Sequence, residues 1–266
     1  MENAKLIEMI KNNPNALAYI DNPSDELKLL AVKKNGLALK YIDKPTTEMQ
    51  ETAIDNNARA IEFVNNPTEA MMTKAIQAGW INLEFIKHPT DAVIKLALQQ
   101  AGWAIKYVTN PSEELQKIAV RKNYDSLKFI KQPYESVQEE AVKISYDALR
   151  YIPSPTRNAE LIAIKNDETA IRLINDVDKN KIVEFLKVNI LVIKYVINEI
   201  STNELEQVLK EVLATEDVEE KYVRDFLNCS TIDKNSNLTI DKIMFIYKYG
   251  SKKAKKIAVD EKLKLK

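Results

Sequence analysis

Pro23, Pro45, Pro67, Pro89, Pro111, Pro133 and Pro155 stand 22 residues apart, with no insertion or deletion between them. A fixed period of this length marks a tandem array, in which each copy is one supersecondary unit that buries its apolar face only against its neighbours. Other columns keep the same register. The eighth residue after each proline is alanine (Ala31, Ala53, Ala75, Ala97, Ala119, Ala141 and Ala163), and the ninth is Val, Ile or Leu. The sixteenth is Leu or Ile, and the eighteenth is aromatic from Tyr41 to Tyr151, with Leu173 the exception. Ile or Val closes each copy.

Each copy spells two helices. Ser24, Thr46, Thr68, Thr90, Ser112 and Thr156 follow the proline, where a hydroxyl accepts a hydrogen bond from a free first-turn N–H. Asp25, Glu26, Glu48, Glu113 and Glu114 suit the positive end of the helix dipole. Apolar residues at the fourth, eighth and ninth positions share one face of a helix with about 3.6 residues per turn. Asn or Gly near the twelfth or thirteenth position ends that helix. A shorter second helix follows, apolar at positions sixteen, eighteen and nineteen with alanine commonest at fifteen, and the next proline terminates it because the residue before proline avoids helical geometry. So short a helix is marginal alone and needs its neighbours.

The register continues on both sides of the proline series. Residues 16–22, ALAYIDN, match the second half of a copy with a degraded start, and residues 189–198, NILVIKYVIN, match another in which Val177 replaces proline. The prediction is nine copies over residues 1–198, the first and last degenerate, in an all-α solenoid. Residues 199–228 carry nine acidic against three basic residues, whereas 251–266 carries seven lysines against two acids. KKIAV at 255–259 resembles KIAV at 117–120, so 199–266 is expected to be a helical cap made of diverged repeats.

AVKKNGLALKYI, residues 31–42, resembles the AVKxNGLALxY core of a widespread family of short helical repeats of unknown function, found in bacterial, phage and giant-virus proteins. The likeness covers residues 1–198. It implies an α-helical repeat fold and brings no catalytic motif with it.

Composition narrows the chemistry. Four glycines in 266 residues leave few of the tight turns that β architectures need, and lysine plus arginine balances aspartate plus glutamate at 39 each. No apolar run approaches the roughly 18 residues of a membrane span, and Cys229 has no partner for an internal disulfide, so a cytoplasmic protein is expected. His88 is the only histidine and occupies a column otherwise filled by Lys44, Asn66, Asn110, Gln132, Ser154 and Asp176, the pattern of a solvated loop. One histidine and one cysteine build neither a zinc cluster nor a Cys–His nucleophile, and no glycine-rich phosphate loop is present. DKNSNLTID, residues 233–241, mimics the oxygen alternation of a calcium loop, but Leu238 stands where that loop needs Gly and Met244 where it needs Glu. The expectation is a non-enzymatic protein without a cofactor or metal.

The positions left free by the repeat are where binding residues can sit. With fifteen, sixteen, eighteen and nineteen buried, positions thirteen, fourteen and seventeen of the second helix face outward. Position seventeen holds Lys40, Glu62, Glu84, Lys106, Lys128, Arg150, Arg172 and Lys194. Lys106, Lys128, Arg150 and Arg172 form a cationic ladder suited to an acidic partner or a phosphate chain, although Asp125 and Asp147 stand three residues before Lys128 and Arg150 and neutralise them. Trp80, Trp103, Tyr124 and Tyr146 lie in the same stripe in consecutive copies, where other copies hold Gly36, Ala58, Arg59 or Glu168. Large aromatics that the fold does not require mark either an interface or satellite core packed on the adjoining turn, whereas the Tyr41-to-Tyr151 column reads as core. A protein partner is the first expectation, and RNA or single-stranded nucleic acid, stacking on these aromatics, the second.

Overall fold

The computed structural model describes residues 2–233 and 238–264. Its regular elements are all helices, packed in successive neighbouring pairs as an all-α repeat solenoid. Each full copy consists of a ten-residue α-helix and a six-residue 3-10 helix, as in Glu113–Lys122 followed by Tyr124–Phe129. The first copy is complete, with helices Glu2–Asn12 and Pro14–Tyr19, so its sequence degeneracy conceals an intact hairpin. In the ninth copy the second helix begins as 3-10 at Ile190–Val192 and continues as α-helix through Ile193–Val196.

Local chemistry fixes these boundaries. The hydroxyls of Ser24, Thr46, Thr68, Thr90, Ser112 and Thr156 accept from the backbone N–H three residues on, at 3.2–3.4 Å. Asn35 and Asn57 are extended (φ −147° and −148°), and each ends one helix while its side chain opens the next, accepting from Leu37 and Arg59 N–H at 3.1 Å. One residue thus satisfies the free groups at two helix ends.

The 3-10 winding changes which residues share a face. With about three residues per turn, residues three apart eclipse one another. Positions thirteen, sixteen and nineteen therefore form one line, fourteen and seventeen a second, fifteen and eighteen a third. The sixteenth-position residues Leu39, Ile61, Leu83, Ile105, Leu127, Leu149 and Ile171 are buried, and so are Ala38, Ala60, Ala104 and Ala148 at the fifteenth. The line of fourteen and seventeen faces water most, with position seventeen exposed in every copy from Lys40 to Lys194. The alanine column, Ala31 to Ala163, is 0% exposed throughout, where one extra methylene would push helices apart. The aromatic column departs from its expected core role: Tyr41, Phe63, Phe85, Tyr107 and Tyr151 are half-buried and Phe129 is 39% exposed, because position eighteen lies at the margin of the buried line.

The chain divides into two compact units, Met1–Pro133 and Tyr134–Lys266. The first holds the first six copies. In the second, two helices of the C-terminal region join the last copies: Thr202–Leu213 packs on Lys179–Val188, and Glu220–Asn228 packs on Ile190–Val192. Helices Lys242–Tyr249 and Lys252–Lys264 follow, the latter packed on Glu220–Asn228. The acidic bias of 199–228 has a structural cause. Lys179 pairs with Glu204 at 2.5 Å, Lys187 with Glu211 at 2.6 Å, and Lys165 with Glu219, so acidic helices are laid onto lysines of the repeats. The Tyr222 hydroxyl, buried, donates to the Leu186 carbonyl at 2.9 Å and ties the same two layers together. Within the calcium-loop-like segment, Asn235 and Asn237 lie outside the described residues, and Asp241 caps Lys242–Tyr249 by accepting from Met244 N–H at 3.2 Å.

Candidate interaction ridge on the 3-10 helices

In the first unit, the eclipsed line of positions fourteen and seventeen carries Arg59 and Glu62, Ile81 and Glu84, Trp103 and Lys106, Asp125 and Lys128 in successive copies. Arg59 pairs with Glu62 at 3.3 Å and Lys128 with Asp125 at 2.9 Å, both at i,i+3 as the winding dictates. Ile81 is 50% exposed and Trp103 is 38% exposed. They form an apolar step flanked by Arg59 in the preceding copy and Asp125 in the following one.

Trp80 and Tyr124 sit one position earlier and belong to the line that runs inward to Leu83 and to Leu127. Both are half-buried. The four aromatics singled out from the sequence are therefore of two kinds, Trp103 on the outer line and Trp80, Tyr124 and Tyr146 on the shoulder. Where the shoulder position is glycine the copies close up instead. A Cβ on Gly36 would stand 2.2 Å from the Ala53 carbonyl oxygen, and one on Gly102 would stand 2.2 Å from that of Ala119. The freed N–H groups donate to Asn56 and Asn123 at 2.7 and 2.9 Å.

Cations thread between these rings. The Lys106 ammonium lies 5.5 Å from the Trp80 ring centre and 4.5 Å from that of Tyr107, while the two rings are 6.3 Å apart. Lys128 lies 5.6 Å from the Trp103 ring and 5.2 Å from Phe129. Arg59 stacks on Phe85 at 4.7 Å. These are cation–π distances, and they hold the rings upright between copies. Trp103 is fixed further because its indole N–H donates to Asp125 at 2.8 Å. Desolvation raises the Asp125 pKa, but the hydrogen bonds from Lys128 and Trp103 outweigh it, and the net shift is downward. Asp125 is thus an anion that serves both a lysine and an indole. Lys106 has no carboxylate partner among the described residues.

In the second unit, Tyr146 is half-buried, and Arg150 pairs with Asp147 at 2.9 Å. Arg172 stacks on Tyr195 at 4.8 Å, and Lys194 pairs with Glu168 at 2.9 Å. Of the four ladder cations, Lys128 and Arg150 are neutralised locally, whereas Lys106 and Arg172 rest on rings. Ile81 was not singled out from the sequence, yet it occupies the column of Trp103. The signal was present in the sequence: position fourteen already belonged to the outward stripe, and an isoleucine there departs from the Arg59, Asp125 and Asp147 of other copies.

His88 is exposed in its loop. Glu160, 3% exposed, is held by Arg157 at 2.9 Å and Lys181 at 2.7 Å, so its charge is compensated. Cys229 is buried. Among the described residues no group of three or more His, Cys, Asp or Glu side chains is placed to hold a metal ion, and no helix is long and apolar enough to cross a membrane. No family model matches the chain, and no match to it was found among curated proteins or solved structures.

Proposed function

We propose that the chain is a non-enzymatic protein-binding scaffold, a member of the short helical-repeat class its AVKKNGLALKYI core resembles, and that it grips its partner through Ile81 and Trp103. The observation that carries this reading is the exposed Trp103, locked by Asp125 beside an exposed isoleucine at a position where other copies hold Arg59, Asp125 or Asp147. The repeat does not need a tryptophan there. A rigid aromatic that loses little freedom on binding, rimmed by charge, has the make-up of an interface anchor. Lys106, free of carboxylates, selects a partner with an acidic group next to its apolar contact.

Nucleic acid is the second reading, favoured by the Lys106 ammonium between the Trp80 and Tyr107 rings. It ranks lower because Glu62, Glu84, Asp125 and Asp147 interrupt the cationic line and would repel a phosphate chain. The experiment is affinity capture with the intact chain beside an Ile81→Ser/Trp103→Ala double variant. Selective loss of one stoichiometric protein partner, with the melting temperature held within a few degrees, supports the scaffold. Equal capture by both proteins removes this ridge from the function, and salt-sensitive binding of oligouridine without a protein partner favours the second reading.

A further inference from the structure

Within the array, the residue nine positions after the proline is sealed by packing between successive units: Val32, Val120, Val142 and Ile164 are each 0% exposed. The tail repeats the motif with a different outcome. Aligning KIAV at 117–120 with KIAV at 256–259 places Ile257 and Ala258, 6% and 7% exposed, on the buried side, but leaves Val259 59% exposed where Val120 is covered. The same surface continues with Leu263 at 64%, and across to Tyr247 at 72% and Met244 at 58% on the neighbouring helix. The Lys255 ammonium lies 5.9 Å from the Tyr247 ring centre, and Ile243, Ala258 and Lys262 line one shallow cavity, so the two exposed stripes run side by side.

Lysine outnumbers acid on this face, although Asp241 and Glu261 line the same cavity, Glu261 paired with Arg224, and Asp260 is exposed. Lys252, Lys253, Lys255, Lys256 and Lys262 have no carboxylate partner among the described residues, in a protein whose acids and bases balance at 39 each. One layer earlier the same chemistry is satisfied. There Thr202–Leu213 packs on the helix that carries Lys179 and Lys187, its Glu204 and Glu211 pair with those lysines at the rim, and Leu205, Val208 and Leu209 are buried, as are Ile182 and Leu186. The protein thus shows what covers a lysine-flanked apolar helix face in this architecture: an acidic helix with an apolar stripe.

We propose that the face formed by Lys242–Tyr249 and Lys252–Lys264 docks an acidic amphipathic α-helix of a partner protein, which adds one further layer to the solenoid. Apolar contacts to Val259, Tyr247 and Met244 supply the anchor, and glutamates facing Lys255, Lys256 and Lys262 set polarity and register. A second copy presenting this face would set lysine against lysine. Binding is then salt-sensitive, and it is independent of Ile81 and Trp103.

The test uses the 266-residue chain and a fluorescent peptide of the chain's own acidic helix, residues 201–214, followed by anisotropy at low salt. Saturable binding is expected, at least tenfold weaker for Tyr247→Glu/Val259→Glu and for Lys255→Glu/Lys256→Glu, and lost when the peptide's glutamates become lysines. All four substituted positions are exposed, so unchanged melting temperatures verify that the variants fold. Binding indifferent to both variants, or no saturable binding, overturns the proposal. So does cosedimentation with phosphatidylserine vesicles in the absence of peptide binding, which would make the face a lipid contact, or self-association that Tyr247→Glu/Val259→Glu abolishes.

Discussion

The indole N–H of Trp103 donates to the Asp125 carboxylate of the following copy at 2.8 Å, and the same carboxylate receives the Lys128 ammonium at 2.9 Å. One anion therefore orients an exposed tryptophan and neutralises the cation above it. The relationship is a product of 3-10 winding, which stacks Asp125 directly under Lys128, and of the repeat, which brings Trp103 alongside. Because the chain has two tryptophans, each is resolvable by its indole N–H resonance.

The Trp103 indole resonance is predicted to titrate in acid. The folded-state pKa of Asp125 is depressed, so its ionised form and the hydrogen bond to Trp103 are present above the ordinary aspartate range and are lost only as the pH falls below it. An NMR titration should show the Trp103 signal moving with a midpoint below that of a model aspartate, and Asp125→Asn should remove the transition. A midpoint at or above the ordinary value would contradict the geometry.

Glycine substitutions should separate by site. Gly102→Ala and Gly36→Ala drive a methyl into a neighbouring backbone carbonyl at 2.2 Å and are expected to destabilise by about 2 kcal/mol or more. Gly79→Ala meets nothing nearer than Asn82 Nδ2 at 4.0 Å, in an extended conformation (φ 166°) that alanine adopts, and is expected to be neutral or to stabilise by roughly 0.4–1 kcal/mol. Chemical denaturation of the three variants measures the difference. Equal effects would mean that copies separate freely at these joints.

Tyr222→Phe leaves the Leu186 carbonyl buried without its donor and should cost about 1–3 kcal/mol. Burial pushes the Tyr222 phenol pKa up, so its O–H stays a donor through the alkaline range. Amide exchange should accelerate in 199–264 and in Lys179–Val188, with little change in Met1–Pro133. Exchange confined to the tail would show that the cap and the last copies are not one cooperative block.

The contact of Thr202–Leu213 with the last copy should also resist acid. The hydrogen bond from Lys179, then those from the Ser201 backbone and hydroxyl, lower the Glu204 pKa to about 2. A depressed carboxylate contributes stability that is present above its unfolded pKa and lost as pH falls through the folded one, so Glu204→Gln should weaken the cap at neutral pH and matter little near pH ~2. Ser201→Ala, which breaks the capping box, should cost about 1 kcal/mol. Thermal melts across pH 2 to 7 test both, and an effect of Glu204→Gln that grows towards low pH would reverse the sign argued here.

The 22-residue period was enough to read the all-α solenoid, the hairpin in each copy and the alanine and Leu/Ile core columns, because a repeat prints its packing as identities at fixed offsets. Helix caps were legible for the same reason, being chemistry between residues two or three apart. What only the tertiary structure decided is the winding of the second helix. An α-helix and a 3-10 helix accept the same short apolar pattern, and neighbour packing chooses between them. That choice split Trp103 from Trp80, Tyr124 and Tyr146, set Ile81 and Trp103 in one line with position seventeen, and moved the Tyr41-to-Tyr151 column to its margin. The acidic run of 199–228 likewise became intelligible only once its glutamates were seen lying on Lys165, Lys179 and Lys187. A sequence records how many charges a segment holds, whereas folding determines which opposite charge each one meets.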